Sequence, residues 1–316
     1  MAMVAARAGV SGQTVSRVVN DSPRVDPETR ARVETAMAEL DYRPHRAARA
    51  LRTGRSQTIG LVVTTLATVG NSRMLQATAE AAAERGYALT LVTASNGVAA
   101  AFESLAEQEV DGAIVLNEAS AQVATVERPR GLRLVVVDAA VDAGFVSVHS
   151  DHAGGAAAAT AHLLAQGHVA VHHVAGPADS FAAAERERGW RETLVAAGAD
   201  APAPVRGDWS AESGYAAGVA LDAASAVFCA NDQMALGVLR ALADSGRRVP
   251  EDVAVIGFDD VPDAANYRPP LTTIRQDFAA LAHRAVEALV AEIEGGSVAA
   301  GPVIVPTSLI ERASVR

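Results

Sequence analysis

The chain has 316 residues, half of them hydrophobic, with 27 basic and 37 acidic side chains and a formal net charge of −10. That length buries a large core and leaves room for two or three domains of a globular protein. One cysteine, Cys229 in AVFCAND, excludes an internal disulfide framework and a cysteine-cluster metal site and reads as a buried strand residue. There is no run of 18 uninterrupted apolar residues and no basic-then-apolar leader, so neither a membrane span nor a secretion signal is expected and the location implied is the cytoplasm.

The acidic balance is unevenly distributed. Residues 1–55 carry ten Arg against six Asp and Glu, leaving 17 Arg and 31 acids for the rest; lysine is absent throughout. A small basic head can meet phosphates while an acidic body lowers indiscriminate binding elsewhere on the surface.

The head opens with VAARAG, the end of a small-residue helix, and Gly9 suits the left-handed turn that closes it. Met1-Ala2-Met3-Val4 offers that helix no N-cap. Ser11 then caps a second helix. At 100° per residue, Val15, Val18 and Val19 form one stripe and Gln13, Ser16, Arg17 and Asn20 the other. Any surface helix could show this pattern, but the neighbours favour a specific arrangement. Asp26-Pro27-Glu28-Thr29 supplies a cap, a first-turn proline and an acid at the positive end of the dipole, and Val33, Ala36, Met37 and Leu40 give a third helix its apolar face. Three short helices, the second entered by a glycine turn and showing Gln and Arg outward, make a helix-turn-helix able to pair with base edges in a major groove.

Tyr42 to Gln57, YRPHRAARALRTGRSQ, reads either as a solvated linker or as a segment that becomes helical when phosphates neutralise its arginines, with Leu51 free to wedge into a minor groove. From Thr58 the pattern changes. TIGLVV, YALTLVTA, DGAIVL, LRLVVVDA, HVAVHHVAG, SAVFCAND and DVAVIGFDD are continuous apolar runs separated by Ala-rich helical stretches, which means parallel sheets covered on both faces. Two sheets are expected, with a break at Val146 to His152 and a return near Ile274 to Phe278.

Ligands of open parallel sheets bind beyond the C-terminal strand ends. Those ends carry Asp138, Asp151, Asn231, Asp232, Asp259 and Asp260, groups that pair with sugar hydroxyls, and Trp209 in GDWS can stack on the apolar face of a pyranose. Each could instead cap a helix, the favoured reading for Asp232 before QMALGVLRAL. Adjacent His172 and His173 point to opposite faces of a strand, which rules against joint metal ligation. GGSVAAG at 295–301 reads as a turn, and no GxxxxGK[ST] or GxSxG is present. Nothing requires an enzyme, a cofactor or a metal.

AGVSGQTVSRVVN, VETAMAELDYRPHRAARAL, GDWSAESG, ANDQMALG, GFDD and YRPPLTTIRQDF together resemble the LacI/GalR family of bacterial transcriptional regulators, essentially from end to end, and the core stretches point to its lac branch. The resemblance implies an α/β protein with an N-terminal helix-turn-helix headpiece (1–43), a hinge helix or linker (44–57) and a two-lobed periplasmic-binding-protein-like core (58–316). Lobe 1 would comprise about 58–148 and 277–302, and lobe 2 about 149–276 and 303–316. It implies a homodimer on a near-palindromic operator. Gln13 and Arg17 would read bases, Thr14, Ser16 and Asn20 would touch backbone, and Leu51 would be the wedge. Gly12 stands where the lac branch has an aromatic base-reading residue, so the operator should differ. The implied effector residues are Asp138, Arg186, Trp209, Asn231, Asp259, Gln276 and Phe278. Ser150 replaces a Phe of that branch, and Leu116 an amide, with Asn117 one place along. The chain shows no leucine heptad tail, which implies a dimer that does not join into tetramers. The expected function is a sugar-responsive repressor answering to a galactoside or related sugar. The alternatives are a transport sugar-binding protein, a sugar-processing enzyme, or a regulator answering to another ligand.

Overall fold

The computed structural model describes residues 1–19, 22–42, 54–123, 126–127, 129–139, 145–296 and 301–316. Asn20, Leu51 and most of the linker lie outside the described residues. The chain divides into two units, Met1–Ser56 and Gln57–Arg316.

The first unit holds α1 (Ala2–Ala8), α2 (Gly12–Val19) and α3 (Pro27–Glu39). Gly9 ends α1 at φ 65°, a conformation that costs glycine no steric penalty. Ser11 Oγ accepts from Thr14 N at 3.1 Å to cap α2, and Asp26 Oδ1 accepts from Thr29 N at 2.9 Å to cap α3. No side chain caps α1. Val4, Ala5, Ala8, Val15, Val18, Val33 and Ala36 form the core of this unit, with Val19 packed at its edge.

The second unit contains two six-stranded sheets. Sheet one is built from β1 (Thr58–Val63), β2 (Ala88–Thr93), β3 (Gly112–Leu116), β4 (Arg133–Val137), β5 (Val146–Ser150) and β11 (Val303–Val305), in the spatial order β11-β5-β4-β3-β1-β2, all parallel. One face packs on α4 (Val69–Glu84) and α11 (Phe278–Glu294), the other on α5 (Val98–Glu107) and α6 (Glu118–Val123). Burial on both faces is why β1 and β3 read as unbroken apolar runs.

Sheet two has the order β12-β10-β9-β8-β6-β7, from β6 (His172–Ala175), β7 (Val205–Arg206), β8 (Ala226–Cys229), β9 (Ala254–Asp259), β10 (Thr272–Arg275) and β12 (Ser308–Ile310). It packs between α7 (His152–Ala165) with α8 (Phe181–Ala196) on one face and α9 (Ala211–Ala220) with α10 (Asp232–Asp244) on the other. Its edge strand β12 runs antiparallel to β10, a departure from the all-parallel expectation. The polypeptide passes between the sheets three times, at 150–152, 275–278 and 305–308. Pairing shifts two expected boundaries. β5 belongs to sheet one through Ser150, and Val303–Val305 pair with β5, so the last crossing follows Val305 rather than residue 302.

Candidate functional site

A cleft lies at the C-terminal ends of both sets of strands, lined by Thr68, Gly70, Asn71, Met74, Asn117, Asp138, Ser180, Ala182, Arg186, Trp209, Asn231, Asp259, Gln276 and Phe278. That is the place of a small-molecule site in an open parallel sheet. All seven residues expected to meet an effector line it. Asn117, Asp138, Trp209 and Asp259 stand at positive φ (47°, 53°, 74° and 113°). Non-glycine residues held there store about 1–3 kcal/mol each and concentrate at functional sites. All four line the cleft.

Arg186, 4% exposed on α8, is the hub. Its Nη2 lies 3.6 Å from Asp259 Oδ1, its Nη1 donates to Ala230 O, and its guanidinium carbon sits 3.9 Å above the Phe258 ring and 5.5 Å from that of Trp209. Asp259 Oδ1 also accepts from Gln276 Nε2 at 2.6 Å. Burial raises the Asp259 carboxyl above its ordinary value, against the pull of Arg186 and Gln276. Across the cleft, Asp138 Oδ1 lies 2.8 Å from His152 Nε2 and 3.3 Å from Ser150 N. Burial works against the Asp138 carboxylate, but His152 and Arg186 outweigh it and hold the group below its ordinary value. The cleft therefore joins one ionised carboxylate, one guanidinium already matched by an acid, and two aromatic faces.

Asn231 does two jobs. Its Oδ1 accepts from Met234 N at 2.9 Å as the cap of α10, and its Nδ2 donates to Trp209 O at 3.0 Å, leaving one amide N–H for a ligand. Asn231, not Asp232, thus caps α10, which corrects the expectation for Asp232. That acid is fully buried, accepts from Val261 N at 2.8 Å and Thr273 Oγ1 at 2.5 Å, and is pushed well up by burial and by Asp259. Asp151 caps α7 through Gly154 N, and Asp260 is held by Arg275 and Arg312 at 2.6 Å each; neither lines the cleft.

Leu116 points into the core, while Asn117 lines the cleft and donates to Asn71 Oδ1. The amide is therefore present one place along. Thr68, Gly70 and Asn71 had no motif to flag them; their signal is that they surround the N-terminus of α4, where Thr68 Oγ1 accepts from Asn71 N at 3.4 Å. Met74, Ser180 and Ala182 of the lining were also not anticipated, nor was His152 behind it, 2% exposed beside both Asp138 and Arg186. His173 is buried, stacked on Phe228 with ring centroids 4.8 Å apart, and its neighbour His172 is half-buried on the other face of β6.

In the first unit, Gly12, Gln13 and Arg17 are exposed on α2, and Thr14 and Ser16 are half-buried beside them. Ser11, Thr14, Arg17, Arg24, Asp26 and Thr29 border one shallow recess. Two guanidinium groups and three hydroxyls in one recess suit an anionic backbone, next to side chains that can reach bases.

Residues 1–45 match the family described as bacterial regulatory proteins, lacI family, and residues 160–315 match the periplasmic binding protein-like domain. The chain is 36% identical to the lactose operon repressor of Escherichia coli (strain K12), over 98% of this chain and 88% of that protein. Among solved structures, it is similar to the lac repressor dimer bound to operator and the anti-inducer ONPF, with 35% identity and a TM-score of 0.88 over 98% of this chain and 97% of that one. A complex of the transcriptional regulator CelR with cellobiose is similar at 34% identity and a TM-score of 0.75, over 99% of this chain and 98% of that one. All three are regulators and none is an enzyme. With this identity running through head and core alike, the chain belongs to the LacI family of bacterial regulatory proteins.

Proposed function

We propose that the chain is a sugar-responsive transcriptional repressor, acting in the cytoplasm as a homodimer on operator DNA, with a galactoside or related neutral sugar as effector. The observation that carries the effector class is the charge pattern of the cleft. Arg186 is the one cation among the described lining residues and is already matched by Asp259, while Asp138 remains ionised. An anionic ligand would meet an ionised carboxylate with no cation to spare for it, whereas a polyhydroxyl ligand offers donors to Asp138 and Asp259, acceptors to Asn231 and Gln276, and an apolar face to Trp209 or Phe278. Gln13 and Arg17 are proposed to read bases from α2, Gly12 leaves that position without a side chain to contribute, and Thr14 and Ser16 are proposed to meet the DNA backbone. Asn20 and Leu51 are proposed for the same interface from the family pattern. Effector and operator then oppose each other, and by linkage each weakens the other by one common factor.

A glucoside is the second reading. The CelR relative is complexed with cellobiose, and the amide facing the cleft is Asn117, because Leu116 turns into the core; both favour it. The test is a thermal-shift panel of galactosides, glucosides, pentoses and purines. A ligand at 100 times its Kd adds about 2.7 kcal/mol of apparent stability. Stabilisation by a sugar that also releases operator DNA is expected; a panel in which only purines stabilise overturns the sugar reading.

A further inference from the structure

We propose that His152 is a positioning residue of the cleft, holding Asp138 at the end of β4 and Arg186 on α8 in their ligand-binding orientations. The inference rests on the sugar-binding reading for its ligand, but its geometric content stands in the free protein. His152 is the first residue of α7, directly after the chain passes from sheet one to sheet two. Its Nε2 lies 2.8 Å from Asp138 Oδ1, and its Nδ1 lies 3.3 Å from both Nε and Nη2 of Arg186.

A guanidinium can only donate. Nδ1 must therefore carry its lone pair toward Arg186, which puts the ring's proton on Nε2, donating to Asp138. The ring is a relay fixed in one tautomer by its two partners, and both partners line the cleft, Asp138 from the end of β4 and Arg186 from α8. Its plane is held by Phe181, edge-on at 6.4 Å and 74°, and by Phe258 at 6.1 Å. On its outer side His149 stacks on Phe181 at 5.4 Å. Without the ring, Asp138 keeps the 3.3 Å bond from Ser150 N, and Arg186 keeps Asp259 and Ala230 O. Each then loses the contact that ties it to the other across the cleft.

The test compares the full-length wild type with His152→Leu and His152→Gln, titrated with methyl β-galactoside and with cellobiose, alongside 15N NMR of the imidazoles in the free protein. Leucine removes both hydrogen bonds and keeps the bulk. Glutamine restores an acceptor toward Arg186 and a donor toward Asp138 without the ring's shape. The expected result is sugar affinity about 10- to 100-fold weaker in His152→Leu, recovered to within a few-fold in His152→Gln, with the Nε2–H tautomer in the wild type. Wild-type affinity in His152→Leu overturns the proposal. So does a folded His152→Gln as weak as His152→Leu, which would mean the ring acts by packing alone. An Nδ1–H tautomer also overturns it. If the wild type binds neither sugar, it is the sugar reading that fails, and the relay is decided by NMR. Asp138→Asn must then shift the His152 Nε2 resonance and Arg186→Met must release the tautomer, and unchanged spectra overturn the relay.

Discussion

Replacing Gly176 by alanine puts a methyl group where the Trp209 indole now lies. A Cβ at 176 would sit 2.4 Å from Cη2, 2.6 Å from Cζ2 and 2.8 Å from Cζ3 of that ring. Non-bonded carbons rest about 3.5–4.0 Å apart, so the indole must withdraw by about 1 Å or more. The Trp209 carbonyl is pinned by Asn231 Nδ2 at 3.0 Å, so the movement falls on the side chain. Trp209 is only half-buried, which keeps the fold's loss at the low end of the roughly 1–3 kcal/mol that overpacking costs. The cleft loses more. Removing roughly 50 Å² of apolar contact with a sugar face costs about 1 kcal/mol, and the geometric part of aromatic stacking adds about 0.5–1.5 kcal/mol. Together these weaken effector binding about 10- to 60-fold. The chain has two tryptophans. Trp190 is fully buried with its Nε1 donating to Val171 O at 2.9 Å, so a sugar-dependent change in emission reports Trp209. A Gly176→Ala protein that keeps wild-type affinity and wild-type emission would refute the placement of Trp209 as the stacking platform.

Arg186→Ala, by leaving Asp259 without its buried counter-charge and Ala230 O without the Arg186 donor, should cost about 2–4 kcal/mol of effector binding. Operator affinity without effector, measured by gel shift, should stay nearly intact, and a parallel loss of both would detach Arg186 from the cleft's role. Burial pushes the His173 imidazole down to about 4 from its ordinary 6.5. A depressed folded value means the contribution is whole above pH 6.5 and lost as pH falls toward 4, a decline of about 3 kcal/mol. Urea titrations should show it in the wild type and a flatter profile in His173→Phe, whose ring can keep the stack on Phe228. Arg17→Ala should lower operator affinity by about 1–3 kcal/mol at fixed salt. Arg7→Gln is the matched control, since Arg7 is exposed and its pair with Glu39 at 2.6 Å is worth at most about 1 kcal/mol.

The head was readable because its signals are local. Gly9, Ser11 and Asp26 each act within three or four residues, and the Val15/Val18 stripe repeats at helical spacing. The long apolar strands were readable for the same reason. What escaped depends on partners far away in the chain. TTIR looks polar, yet Thr272 and Thr273 are fully buried in β10, because Ser314 Oγ accepts from Thr272 N and Asp232 accepts the Thr273 hydroxyl. β11 and β12 are three residues each, too short for a period, and only their pairings identify them. The seven cleft residues came from family pattern, and strand-end logic alone would have kept Asp151, Asp232 and Asp260 on equal terms with Asp138 and Asp259. His152 carries no sequence signal of its own. Its importance arises from the crossing that brings residue 152 beside residue 138 and from the fold of α8 that delivers residue 186.

The three passages between the sheets also impose an order on synthesis. Sheet two draws β6 to β10 from the single stretch 172–275, so most of it can assemble as soon as that stretch leaves the ribosome. Sheet one, although it begins earlier, must wait for α11, whose Leu281, Ala285, Val286 and Leu289 fill one of its faces, and then for β11 at its edge. A nascent chain arrested near residue 276 would carry a nearly finished second half and a first half with one apolar face still open. The part translated first is thus completed last, and its exposed apolar face is the aggregation-prone surface of the growing chain.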